Sequence, residues 1–178
     1  PSIKPPFLAL VVSAGHTDLV HFTAHTSFEV VGRTLDDAAG ETFDKTAKLL
    51  GLGYPGGPLL DKTARGGNPN FHHFPRALKR RDDQNFSYSG LKTAVREYLA
   101  RHEAEFVNAY INDLAASIQQ AIIDPLIDKT LRYARLKGLK TILLVGGVAA
   151  NSALRDQLRE RAAALGLDFF RPSLELCV

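Results

Sequence analysis

Thr141-Ile142-Leu143-Leu144-Val145-Gly146-Gly147-Val148-Ala149-Ala150-Asn151 is the stretch on which the fold class turns. Its first five residues are almost wholly apolar, the profile of a strand in a sheet covered on both faces. Two glycines then lead into residues 151–165, where Leu154, Leu158 and Ala162 recur at helical spacing and are expected to point inward. A second apolar run, residues 167–170, completes a β-α-β unit. Long helical periodicities precede it, so the expected class is α/β, with helices packed on a sheet.

Working back from that unit, Val107, Ile111, Leu114, Ile118, Ile122 and Leu126 mark one face of a long helix that Gly138 ends. Pro125 lies inside the pattern, and a kink or junction is expected near Asp124. Residues 91–102 begin this helical region. Residues 68–89, rich in Asn, His and Arg, read as a long excursion with a short helix over residues 76–80, and a loop of that length points to a binding or lid role. Nearer the start, Ala39, Phe43, Ala47 and Leu50 recur at four and three residues, predicting a helix over 36–50 capped by Thr34 or Asp36. Leu52-Gly53-Tyr54-Pro55-Gly56-Gly57-Pro58 reads as a rigid loop, and a short helix over 59–64 follows. Apolar runs at 8–13, 19–22 and 28–34 predict a three-stranded meander. The expected organisation is residues 1–50 as meander and helix, 51–137 as mostly helical, and 138–178 as a β-α-β nucleotide-binding part.

The 178 residues carry a formal net charge of +3, with 45% hydrophobic and 23% charged residues, which excludes a disordered chain. Arg76, Lys79, Arg80 and Arg81 form one basic group, and Arg132, Arg135, Lys137 and Lys140 a second; each is open to reading as a solvated face or a surface for RNA. A single cysteine, Cys177, excludes intrachain disulfides and thiolate metal clusters. The apolar runs are too short to span a bilayer, and a cytoplasmic protein without a membrane partner is expected. The sequence has no methionine and closes on Leu176-Cys177-Val178, read as a strand still in progress, so a portion of a longer protein is expected.

Two turns are the candidates for ligand contact. Val11-Val12-Ser13-Ala14-Gly15-His16-Thr17 delivers a strand into small residues whose amides can cradle phosphate oxygens, although a plain hairpin is equally compatible. Gly146 and Gly147 stand between a strand and a helix start, a place for adenosine or phosphate, while Asn151 either caps the helix or meets the ligand. Neither glycine group has Walker or Rossmann spacing, so the phosphates would be held by separate turns at the ends of different sheets. Asp44, beside Phe43 on the acidic helix, is either a hydroxyl acceptor or the partner of Lys48. Gly40 inside that helix costs about 0.5 to 1 kcal/mol relative to alanine, which points to close packing or ligand approach. Gly57 permits approach along the proline-glycine loop, and Asp61 lies one step beyond. None of the six histidines forms a His-x-x-x-His helix site, and no complete metal site is visible.

Three blocks carry a resemblance: Val11-Val12-Ser13-Ala14-Gly15-His16-Thr17, Gly32-Arg33-Thr34-Leu35-Asp36-Asp37-Ala38-Ala39-Gly40-Glu41-Thr42-Phe43-Asp44-Lys45, and Leu49-Leu50-Gly51-Leu52-Gly53-Tyr54-Pro55-Gly56-Gly57-Pro58. With Phe86-Ser87-Tyr88-Ser89-Gly90-Leu91-Lys92-Thr93-Ala94 and Val145-Gly146-Gly147-Val148-Ala149-Ala150-Asn151, the chain resembles the TsaD family of tRNA-modifying transferases over essentially its whole length. That resemblance implies the two-lobed actin, Hsp70 and sugar-kinase architecture, incomplete in this chain. It also implies transfer of a threonylcarbamoyl group from threonylcarbamoyl-AMP to N6 of adenosine 37 in tRNAs reading codons that begin with A. On the same ground, Val11, Val12, Ser13, Ala14 and Gly15 would form the phosphate-side substrate loop. Asp44, Gly57 and Asp61 would contact substrate, and Gly146, Gly147 and Asn151 the adenine nucleotide. One divalent metal such as iron or zinc is implied, with ligands before Pro1 and after Val178, so this chain alone is expected to be inactive. tRNA and the protein partners of the modification complex are implied as well. Ala14 departs from the family's usual glycine. A metal-dependent endopeptidase, a kinase-like phosphoryl transferase of the same architecture and a non-enzymatic scaffold are the competing readings.

Overall fold

The computed structural model describes residues 3–80 and 82–172; the strand expected at Leu176-Cys177-Val178 lies outside them. Among the described residues five strands form one open sheet in the order β3-β2-β1-β4-β5, where β1 is Phe7–Val12, β2 Thr17–Ala24, β3 Ser27–Arg33, β4 Thr141–Val145 and β5 Asp168–Phe170. β1, β2 and β3 run antiparallel as the expected meander, whereas β1 pairs parallel with β4, and β4 with β5. The two glycine turns therefore leave neighbouring strands of one sheet, which corrects the expectation of two different sheets: Val11 is in register with Val145, across more than a hundred residues of chain.

Among the described residues six α-helices accompany the sheet: α1 Ala39–Leu49, α2 Gly56–Ala64, α3 Ser89–Ala100, α4 Ala104–Ala109, α5 Ile111–Leu136 and α6 Ser152–Ala164. The core lies between them and one sheet face. Leu8, Leu10, Val12, Ile142 and Leu144 are fully buried there, against Ala39, Phe43, Ala47, Ile118, Ile122, Leu154, Leu158 and Ala162. Covering of β4 is one-sided, contrary to expectation. Its alternate residue Leu143 is only half-buried and packs with Phe7, Ala9 and Val20 on the opposite face.

Three helix boundaries differ from the sequence reading. α1 starts at Ala39, and the Ala39 amide donates to the buried Thr17 hydroxyl at 2.8 Å, so the acceptor comes from β2 rather than from Asp36. Pro55 and Pro58 do not hold a loop open: α2 begins between them at Gly56, since proline in a first turn gives up only amides that lack helical partners anyway. α5 runs unbroken through the buried Pro125, and the helical break falls instead at Tyr110. Residues 76–80 are not helical; Phe74 and Phe86, both buried, pin the excursion to the core at either end.

Asp36 is committed to the start of α3. Its carboxylate accepts from the Tyr88 amide at 2.7 Å, from the Ser87 hydroxyl, and from the amide and hydroxyl of Ser89. Burial works to raise its carboxyl, and these hydrogen bonds together outweigh burial, leaving the group below the ordinary carboxylate range. A lowered folded-state value means stabilisation that is complete above the unfolded value and lost as pH falls through the folded one. Asp36→Ala is expected to cost about 1 kcal/mol at neutral pH, a figure kept small because the carboxylate is exposed. The gap from wild type should narrow as the pH drops below about 4. Urea denaturation across that range checks it, and a gap independent of pH would contradict it.

Candidate functional site

The carboxyl ends of parallel strands are where open α/β sheets receive ligands, because the connecting turns there present amides and small side chains outward. β1 and β4 end side by side at this edge. Gly146 makes their closeness possible: it has φ of 101°, and a Cβ on it would lie 2.1 Å from the Val12 carbonyl oxygen. The Ser13–His16 turn closes on itself, with the Ser13 amide donating to the His16 carbonyl at 2.8 Å and the His16 amide to the Ser13 hydroxyl at 3.0 Å. α1 is pressed onto that turn. The Gly40 amide donates to the Ser13 carbonyl at 3.1 Å, and a Cβ at Gly40 would meet the same oxygen at 2.6 Å, so the helical glycine serves close packing.

α2 is joined to α1 by Asp44, whose Oδ1 accepts the Gly56 amide at 2.9 Å. Its ion-pair alternative with Lys48 is not what the structure shows; Lys45, bridging Asp37 and Glu41, carries the pairing on that helix. Around these contacts lies a cleft of about 180 Å³ lined by Ala14, Gly40, Phe43 and Asp44 on one side, and by Gly57, Pro58, Gly147, Val148 and Asn151 on the other.

Five of the residues that the family resemblance assigns to ligand thus meet in one cleft: Ala14, Asp44, Gly57, Gly147 and Asn151. The others stand behind or beside it. Val12 is fully buried, Val11 packs on the opposite sheet face, Ser13 and Gly146 shape the two turns, and Gly15 projects into open space. Asp61 is nearly buried and accepts both the amide and the hydroxyl of Ser152, at 3.0 and 2.7 Å, so its carboxylate serves the start of α6. Asn151 caps α6 by accepting the Leu154 amide at 2.9 Å, and its Nδ2 donates to Gln119 at 2.8 Å. Two first-turn amides of α6 are accordingly spent within the protein. The start of α2 also opens on the cleft, through Gly57 and Pro58; the Gly56 amide is spent on Asp44 and Pro58 has none, which leaves the Gly57 amide facing that side.

This arrangement has a definite chemical capacity. The dipole of α2 favours a negatively charged group near Gly57, Asp44 offers a carboxylate acceptor, and Phe43, Pro58 and Val148 supply apolar walls for a flat ring. Sequence reading treated Phe43 only as core and passed over Pro58 and Val148. Gln119 was missed too, although a buried amide inside the apolar Ile118–Ile122 stripe is a signal in itself. No three His, Cys, Asp or Glu side chains stand together as a metal-holding group among the described residues. His102 is stacked on the Tyr98 ring and His72 packs against it at a tilt. These donors do not fit a metal. No helix among the described residues is long and apolar enough to cross a membrane.

The family described as "TsaD: tRNA N6-adenosine threonylcarbamoyltransferase" matches residues 1–178. A protein of that description from Thermotoga neapolitana is 49% identical over 177 residues, covering 99% of this chain and 53% of the relative. One from Moorella thermoacetica is 50% identical over 179 residues, covering 99% and 52%. One from Prosthecochloris aestuarii is 45% identical over 182 residues, covering 98% and 53%. The chain spans about half the length of these curated relatives. The crystal structure of T. kodakarensis HypF shares the fold, with a TM-score of 0.59 at 20% identity, over 79% of this chain and 18% of that one. The family match and these relatives place the chain in the TsaD family of tRNA N6-adenosine threonylcarbamoyltransferases.

Proposed function

We propose that the protein to which this chain belongs transfers the threonylcarbamoyl group of threonylcarbamoyl-AMP to N6 of adenosine 37 in tRNAs reading codons that begin with A. The observation that carries this reading is the convergence of the β1 turn, α1, the start of α2 and the β4–α6 junction on one cleft with apolar walls and a helix terminus. The adenine ring lies against Phe43, Pro58 and Val148, the phosphate near Gly57, and a hydroxyl of the ribose or threonine on Asp44. The N6 amine attacks the carbamoyl carbon, the new C–N bond forms, the C–O bond to phosphate breaks, and AMP departs while the amine loses its proton. The chain's residues contribute positioning of this mixed anhydride, whose phosphate is a good leaving group. The iron or zinc expected on the family resemblance finds no fitting donors among the described residues, and no step is routed through it. A second lobe, partner proteins of the modification complex and a cytoplasmic location belong to the same proposal for the whole protein.

The test is incorporation of labelled threonine into a defined tRNA by the full-length protein with its partner subunits. Label should appear and vanish when adenosine 37 is replaced; no label in either tRNA would overturn the reading. Asn151→Ala in the full-length protein is expected to lose about 1 kcal/mol of stability through its cap, and to bind AMP more weakly because the cleft wall shifts. Thermal melting and AMP titration check the two effects, and an unchanged AMP dissociation constant would remove Asn151 from the adenylate site.

A further inference from the structure

A second cavity, larger than the cleft at about 440 Å³, lies between α5, the end of α6 and the segment 73–79. Five cationic side chains line it, Arg76, Lys79, Lys129, Arg132 and Arg161, against the carboxylates of Asp124 and Asp128. Both carboxylates are already engaged. Asp124 holds Arg76 at 2.9 Å, and Asp128 holds Arg161 at 2.8 Å. Lys79, Lys129 and Arg132 form no ion pair among the described residues.

Two of these cations are held in a way that favours an incoming anion. Lys129 is 2% exposed, and its ammonium donates to the Asp83 carbonyl at 2.9 Å above the Phe86 ring. Burial pushes its ammonium below the usual lysine range; the Asp83 charge opposes this, and the Arg132 charge adds to it. The Arg132 Nε is buried without a hydrogen-bond acceptor among the described residues, while its Nη1 reaches the Arg80 carbonyl only at 3.4 Å. Desolvated positive charge without a counter-charge in ion-pair contact is costly, and an anion placed between these donors would relieve it. Compact tetrahedral oxyanions match the mixture of a guanidinium fork and lysine point charges.

We propose that this cavity is a second ligand site, one that holds phosphate groups. It is separate from the adenylate cleft: no lining residue is shared, and along α5 its lining runs from Asp124 to Arg132, on the C-terminal side of the Gln119 that supports Asn151. The phosphates come either from a free polyphosphate or from an RNA backbone. The second source rests on the transfer function proposed above; the site itself does not.

Pyrophosphate is the probe, titrated by calorimetry into full-length protein whose adenylate cleft has been saturated with AMP. Binding is expected in the wild type, and at least a tenfold weaker affinity in the Lys79→Gln/Arg132→Gln double variant, with AMP affinity kept. Arg132→Lys, which preserves the charge, should restore part of the loss. Displacement of pyrophosphate by tRNA would assign the phosphates to an RNA backbone, and its persistence would assign them to a free anion. Absence of pyrophosphate binding to the wild type, or equal affinity in the double variant with an unchanged melting temperature, would overturn the site. Loss of threonine transfer alongside intact pyrophosphate binding would count against the transfer reading alone.

Discussion

Gly146→Val should unfold the protein or lower its stability by about 3 kcal/mol or more, the upper range expected when a residue is forced into a disfavoured backbone conformation and against a neighbour. Two separate penalties combine at this position. The backbone sits at φ of 101°, a region that β-branched residues rarely adopt, and the added Cβ would stand 2.1 Å from the Val12 carbonyl oxygen. The contact cannot relax by rotating a side chain, because the obstructing atom belongs to the backbone of the central strand β1. Relief would require β4 to part from β1, and that pairing joins the meander to the β-α-β unit. Urea denaturation read by circular dichroism measures the loss. Gly15→Ala is the control: no atom lies within 4 Å of the added methyl, and little change is expected. Equal midpoints for Gly146→Val and wild type would contradict this account of how the two turns are brought together.

Much of this fold was legible because its elements carry their own periodicity. Ala39, Phe43, Ala47 and Leu50 do face the core, as do Leu154, Leu158 and Ala162, and the meander strands fall where their apolar runs predict. What escaped was the pairing between distant parts. Nothing local in residues 7–12 announces a parallel partner at 141–145, so two turns of one sheet were read as the mouths of two. The acidic stretch misled for the same reason: Asp36 resembles the cap of the helix that follows it, yet it caps α3, some fifty residues on. Pro55 and Pro58 read as a loop because proline disrupts helix interiors, and the first turn is the place where it does not.

The candidate site divides along similar lines. Small residues and the isolated Asp44 were visible as ligand-compatible chemistry, and five of the candidates converge on the cleft. Asp61 and Asn151 were equally visible as polar residues, but only the packed structure shows that Asp61 serves the Ser152 amide and that Asn151 caps α6 against Gln119. Polar residues at helix starts satisfy the backbone before anything else, and sequence alone does not rank these demands.

The central claim, that the cleft holds an adenylate, is best separated from folding at Gly57. This residue lies in the first turn of α2, lines the cleft, and has only the Phe43 side chain near an added Cβ, at 3.8 Å, an ordinary contact. A leucine there is tolerated by the helix and takes up space within a cavity of about 180 Å³. AMP affinity should fall at least about tenfold, equivalent to about 1.4 kcal/mol. Folding stability should stay within about 1 kcal/mol of wild type. The decisive measurement is AMP titration of full-length wild type and Gly57→Leu proteins under conditions where both are folded. Tight binding that the leucine abolishes is the predicted result; equal affinities in two equally stable proteins would contradict the assignment of the cleft.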